Sequence, residues 1–166
     1  MKEKEYSRDL KLRDRTLYLI NEEKPLRGFE LFVSLLKEGR PGLCVTRQHP
    51  EKLRSMYNLR DVEIFWLTSN VGERMFSPSA IGLLTNSVTR YIAEHKGTVL
   101  FLEGMEYLLS YNEFKAVLHY VGYVHDAIMN HGGIGIVSID AEALTPREFA
   151  MFRRELTLLE IKEDRE

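Results

Sequence analysis

Short apolar runs without polar alternation recur along the chain, at residues 16–20 (TLYLI), 42–46 (GLCVT), 62–68 (VEIFWLT), 98–107 (TVLFLEGMEY) and 134–140 (IGIVSID). Runs this short, rich in β-formers and apolar toward both sides of the pleat, fit strands covered on both faces, as in a parallel sheet. Between them the period changes to that of a helix. Pro25 is well placed to open the first helix, in which Leu26, Phe29, Leu31, Phe32, Leu35 and Leu36 recur at helical spacing until Gly39, Pro41 and Gly42 close it. Pro50 opens a short helix carrying Leu53 and Met56. Ser77-Pro78 reads as the N-cap and first turn of a helix whose apolar face is Ile81, Leu84, Val88, Tyr91 and Ile92, ended by Lys96-Gly97. Ser110 with Glu113, and Thr145 with Glu148, match the capping box, in which the two side chains satisfy each other's orphan amides. The helix behind the first box is expected to bury Phe114, Val117, Leu118, Val121, Val124 and Ile128. That behind the second stacks Phe149, Phe152, Leu156 and Leu159 before a charged tail.

Five strands alternating with helices predict an α/β fold, a three-layer sandwich with a mainly parallel five-stranded sheet and right-handed crossovers. Residues 1–15 alternate charges of both signs around Tyr6, Leu10 and Leu12 and read as a charged lead-in, leaving 16–166 as a single domain. The length of 166 residues, 44% hydrophobic, suits one sizeable core.

A net charge of −2 and a pI near 6.2 give no reason to expect a nucleic-acid or anionic-membrane partner. No apolar stretch approaches the length that spans a bilayer, and the start MKEKEYSRD lacks the apolar core of a signal peptide, so no direct membrane insertion is expected. The single cysteine, Cys44, excludes an intrachain disulfide and reads as a buried structural thiol, which fits a reducing, cytoplasmic location.

Parallel sheets gather function at the C-terminal ends of their strands. That edge is expected to collect Arg47, Thr68, Glu103, Gly104, Glu106 and Asn112 as a candidate cleft. Glu103 and Glu106, three apart, face each other in a helical turn as acid–base pairs or metal ligands do, or else cap the following helix or pair with Arg47. The planar fork of Arg47 suits an anionic ligand or an ordinary ion pair. Tyr107 and Asn112 stand beside the same cleft, Asn112 fitting a capping turn equally well, and Trp66 reads as packing. His119, His125 and His131 recur every six residues and do not stack as an i, i+4 pair. With no HExxH or CxxC either, no metal and no cofactor is expected. No GxSxG elbow follows a strand and Cys44 lies inside one, so no catalytic residue is assigned.

The combination GLCVTRQHP at 42–50, FWLT at 65–68, LEGMEYLLSYNEF at 102–114 and the acidic-Ala-Leu-Thr-x-x-Glu segment at 142–148 resembles the archaeal domain-of-unknown-function family numbered 835. The resemblance covers nearly everything after Thr16. It implies a relative of the RecA and KaiC type of ATPase, in a family whose biochemical role is not established and whose domain often joins membrane or sensor segments. No such attachment accompanies these residues, which suggests a stand-alone regulator or adaptor.

In a P-loop enzyme the first strand feeds GxxxxGK[ST], whose amides cradle phosphates. Here the corresponding turn reads NEEKPLRG at 21–28, with no glycine pair, no hydroxyl for magnesium, and Glu22 and Glu23 where phosphates would sit. Residues 100–103 nevertheless keep the form of a Walker B strand, and Gly104 permits close backbone approach. The expectation is a non-catalytic, cytoplasmic RecA-like domain without a phosphate loop, acting as a signalling or protein-interaction module with an unknown protein partner, a homodimer being plausible. Two alternatives stay open. One is a nucleotide- or anion-binding sensor or enzyme using Arg47 for phosphate and Glu103 for a metal; the other is a structural subunit of a larger complex.

Overall fold

A computed structural model describes residues 11–36 and 39–160, so that most of the lead-in and the charged tail lie outside the described residues. The five apolar runs are the strands β1 (Thr16–Asn21), β2 (Gly42–Thr46), β3 (Val62–Leu67), β5 (Thr98–Leu102) and β6 (Gly133–Ile139). The sheet has seven strands, not five: β4 (Met75–Phe76) and β7 (Thr157–Leu158) extend its two edges. The order is β4-β3-β2-β5-β6-β1-β7, with every neighbouring pair parallel. β5 is therefore the central strand, and all five of its residues are buried.

Helices cover both faces, which is why the strands carry no polar alternation. α1 (Leu26–Leu35) and α2 (Pro50–Met56) lie on one face, where Phe29, Leu31, Phe32 and Leu53 meet Cys44, Ile64, Val99 and Phe101. α3 (Ile81–Glu94), α4 (Met105–Tyr111), α5 (Phe114–His131) and α6 (Pro146–Glu155) lie on the other. There Leu84, Val88, Leu108, Val121, Val124 and Phe152 pack on Leu43, Val45, Leu100 and Leu102. Successive strand residues point to opposite faces, so one strand serves both clusters. Cys44 is fully buried in the cluster beneath α1 and α2, and burial pushes its thiol pKa up, as befits a structural side chain.

Three local expectations are corrected. Ser77 does not cap α3: Ala80 N–H donates to the Ser77 carbonyl in a turn, and the helix begins at Ile81. Ser110 lies inside α4 with its hydroxyl on the Tyr107 carbonyl, Asn112 is extended, and α5 starts after Glu113 without a side-chain cap. The last helix stops at Glu155, because Leu156 turns extended (φ −122°, ψ 155°) and delivers β7 to the edge of β1. The Thr145–Glu148 capping box is present in both directions, with Glu148 N–H to Thr145 Oγ1 at 3.2 Å and Thr145 N–H to Glu148 Oε1 at 2.9 Å.

Candidate functional site

Val45 stands opposite Leu102 in the ladder between β2 and β5, so the next residue of each strand meets at the C-terminal rim: Thr46 beside Glu103. Glu103 is only 7% exposed. Its Oε1 accepts from the Thr46 hydroxyl at 2.5 Å and from the Arg47 backbone N–H at 2.8 Å. Thr46 Oγ1 accepts in turn from Gln48 N–H at 2.9 Å, so the acid fixes the way the chain leaves β2. Burial pushes the Glu103 carboxyl above its ordinary range, the charge of Glu106 adds to the rise, and the Thr46, Arg47 and Gly104 hydrogen bonds pull against it.

Gly104 turns the chain from β5 into α4 with φ +76°, the left-handed region. A Cβ there would stand 2.9 Å from Leu67 Cδ1 and 3.2 Å from the Arg47 nitrogen. Conformation and space both require glycine.

The other candidates divide. Arg47 sends its side chain away from Glu103: the guanidinium donates to the Leu67 carbonyl at 3.1 Å and lies 4.4 Å over the Tyr107 ring. Tyr107 meets Tyr111 edge-on at 5.2 Å, and Tyr111 is 56% exposed. No carboxylate pairs with the Arg47 guanidinium among the described residues. Trp66 is half-buried beside this group, its indole N–H on the Arg47 carbonyl at 3.1 Å and its ring 4.7 Å from His49. Thr68 is buried and closes the loop after β3, accepting from Asn70 N–H at 3.1 Å. Glu106 is engaged elsewhere as well: its Oε1 accepts from Asp140 N–H at 2.7 Å, just past the end of β6. Asn112 ties the end of α4 to the segment before α3, donating to the carbonyls of Leu108 and Pro78 at 2.9 and 2.7 Å. Arg47, Glu103 and Gly104 thus come together, while Glu106, Thr68 and Asn112 hold neighbouring turns.

At the exit of β1, Glu22 has a place that sequence reasoning did not assign. Its carboxylate accepts from the N–H groups of Arg27 and Gly28 at 2.9 and 3.0 Å and from the Ser138 hydroxyl at 2.7 Å. Pro25 gives α1 no side-chain cap, so Glu22 caps the helix from upstream with a negative charge on its first amides. Burial raises its carboxyl against those hydrogen bonds and the Arg27 charge. An anion arriving at this helix terminus would meet a carboxylate already seated. Among the described residues no group of three or more His, Cys, Asp or Glu is placed to hold a metal ion.

The model of a family described as "Protein of unknown function (DUF835)" matches residues 21–156. The chain belongs to the DUF835 family. No curated protein matches it. A solved structure is similar in fold: an uncharacterized protein from Pyrococcus horikoshii in complex with an unknown peptide, with a TM-score of 0.55 and 16% identity, covering 93% of this chain and 80% of that one. The segment matched to DUF835 holds the whole rim, from Glu22 through Thr46, Arg47 and Glu103 to Ser138, and runs to the end of α6. Among the described residues of this DUF835 chain, no helix is long and apolar enough to cross a membrane.

The acid at the end of β5 was legible as a residue, but its partners were not. Thr46 lies 57 positions away, and only the β2–β5 register brings it to Glu103.

Proposed function

We propose that this DUF835 chain is a non-catalytic protein-interaction module, of a signalling kind, on a RecA-like scaffold whose phosphate loop has been replaced. The observation that carries the reading is that both anchor points of a nucleotide are spent internally. Glu22 fills the amide terminus of α1, and Glu103 is buried under Thr46 and the Arg47 amide. The parallel sheet opens the exits of β1 and β5 at one rim, as the degenerate-ATPase reading requires. What remains free there is suited to a protein: an arginine stacked on a tyrosine, a second tyrosine at the surface, and a half-buried tryptophan. Arg, Tyr and Trp are the side chains on which binding energy concentrates. A partner segment carrying a carboxylate would find in the Arg47 fork a donor with no carboxylate partner among the described residues. That the Pyrococcus horikoshii protein was crystallised with a peptide supports the same class of role.

A photo-reactive phenylalanine analogue at Tyr111, with one at the exposed Arg153 as control, tests this in a lysate of the source organism. The expected result is a protein adduct of defined mass at position 111 alone, competed by excess unmodified chain and not by its Arg47→Ala variant. Adducts equal at both positions, or equal competition by the variant, would overturn the reading.

A further inference from the structure

α3 and α5 lie side by side on one face of the sheet, and an open groove of about 900 Å³ runs between them. The α3 wall carries Gly82, Thr85, Thr89 and Ala93 beside Ile81, Asn86 and Arg90, and the α5 wall carries His119 and Tyr123, the latter 61% exposed, beside Ala116 and Ala127. Both helices are poor in charge for a chain that is 29% charged: α3 has Arg90 and Glu94, and α5 has Lys115 and Asp126. By contrast α6, in the same layer, is half charged through Arg147, Glu148, Arg153, Arg154 and Glu155. A solvent-facing groove depleted of charge and lined by an exposed tyrosine has the composition of an interface core.

We infer that the occupant of this groove is a second copy of the same chain, related by a twofold axis. The two charges that line the groove select it. Arg90 stands on the α3 wall without a carboxylate partner among the described residues. Asp126 stands on the α5 wall, its side chain 74% exposed and 3.6 Å from His125. In an isologous interface residue i meets j and j meets i, so a twofold axis that places Arg90 of one copy against Asp126 of the other forms that pair twice. The same operation brings each Tyr123 to the α3 wall of its mate, where Thr85 and Thr89 stand. This surface lies in the helix layer, not at the strand-end rim, and the inference stands or falls independently of the proposed function.

Sedimentation velocity of the full chain across the micromolar range tests it. The expected result is a concentration-dependent dimer whose dissociation constant rises about tenfold or more in Arg90→Asp and in Asp126→Arg, with affinity restored when the two are combined. Tyr123→Ala weakens the dimer, and unchanged circular dichroism in each surface variant separates lost association from lost folding. A wild-type chain that stays monomeric to its solubility limit overturns the inference. So does a dimer indifferent to these substitutions, a charge reversal that is not rescued, or a groove found filled by a different protein.

Discussion

Gly104→Val is expected to lower stability by about 3 kcal/mol, the sum of a left-handed backbone that a β-branched residue resists and a crowded site. The native φ of +76° sets the first cost. The second comes from the side-chain carbon placed 3.2 Å from the Arg47 backbone nitrogen, which cannot withdraw without disturbing the exit of β2. Gly122→Ala is the internal contrast. It lies inside α5 with nothing within 4 Å of a new Cβ, and the change should gain up to about 1 kcal/mol. Urea denaturation of both variants checks the pair. A loss below about 1 kcal/mol at position 104 would mean that the turn into α4 tolerates a side chain and does not anchor the rim.

Glu103→Ala is expected to cost about 3 kcal/mol, because it leaves a buried threonine hydroxyl and a backbone N–H without an acceptor. Those groups are Thr46 Oγ1 and the Arg47 amide. Glu103→Gln keeps an acceptor and the shape, so it should cost less and mainly alter the pH dependence. Burial raises the native carboxyl, so the native state holds its proton at pH values where the unfolded chain has released it. The stability linked to this proton is complete below the unfolded carboxylate range, about pH 4, and is lost as the pH rises through the raised native value. The difference in unfolding free energy between wild type and Glu103→Gln should therefore narrow with rising pH across that window. Parallel curves would contradict the assignment. Loss of stability without loss of partner binding marks Glu103 as a structural residue of the rim.

The sheet's interior was readable because strands buried on both faces leave short apolar runs, with Glu63 in β3 the one charged residue inside them. Its edges were not. β4 and β7 have two residues each, too few for any period to register. Leu156 and Leu159 continue the helical spacing of Phe149 and Phe152, and no glycine or proline interrupts it. What ends the helix is the pairing of β7 along β1, with Leu159 N–H on the Leu19 carbonyl at 2.8 Å, a tertiary preference invisible to local pattern. The Thr145 box formed because its helix begins there. The Ser110 pattern lies inside α4, a helix already started by the Gly104 turn, and the match is coincidental.

The same contrast holds at the site. Arg47, Glu103 and Gly104 were legible as strand-end residues. The direction of the Arg47 side chain, toward Tyr107 instead of Glu103, depends on α4 crossing the rim. Glu22 read as a repulsive charge at the place of a phosphate. In the fold it caps the first amides of α1, a consequence of α1 lacking a cap from Pro25 and of Ser138 arriving from β6.

Thermal denaturation of the wild-type chain with ATP, GTP and cyclic nucleotides, each with and without magnesium, tests most directly whether this rim is a protein-docking edge and not a nucleotide site. A ligand at one hundred times its dissociation constant adds about 2.7 kcal/mol. No stabilisation is expected from any member of the panel. A magnesium-dependent stabilisation by a nucleotide, lost in Arg47→Ala and Glu103→Gln, would contradict the account and make the rim a nucleotide site.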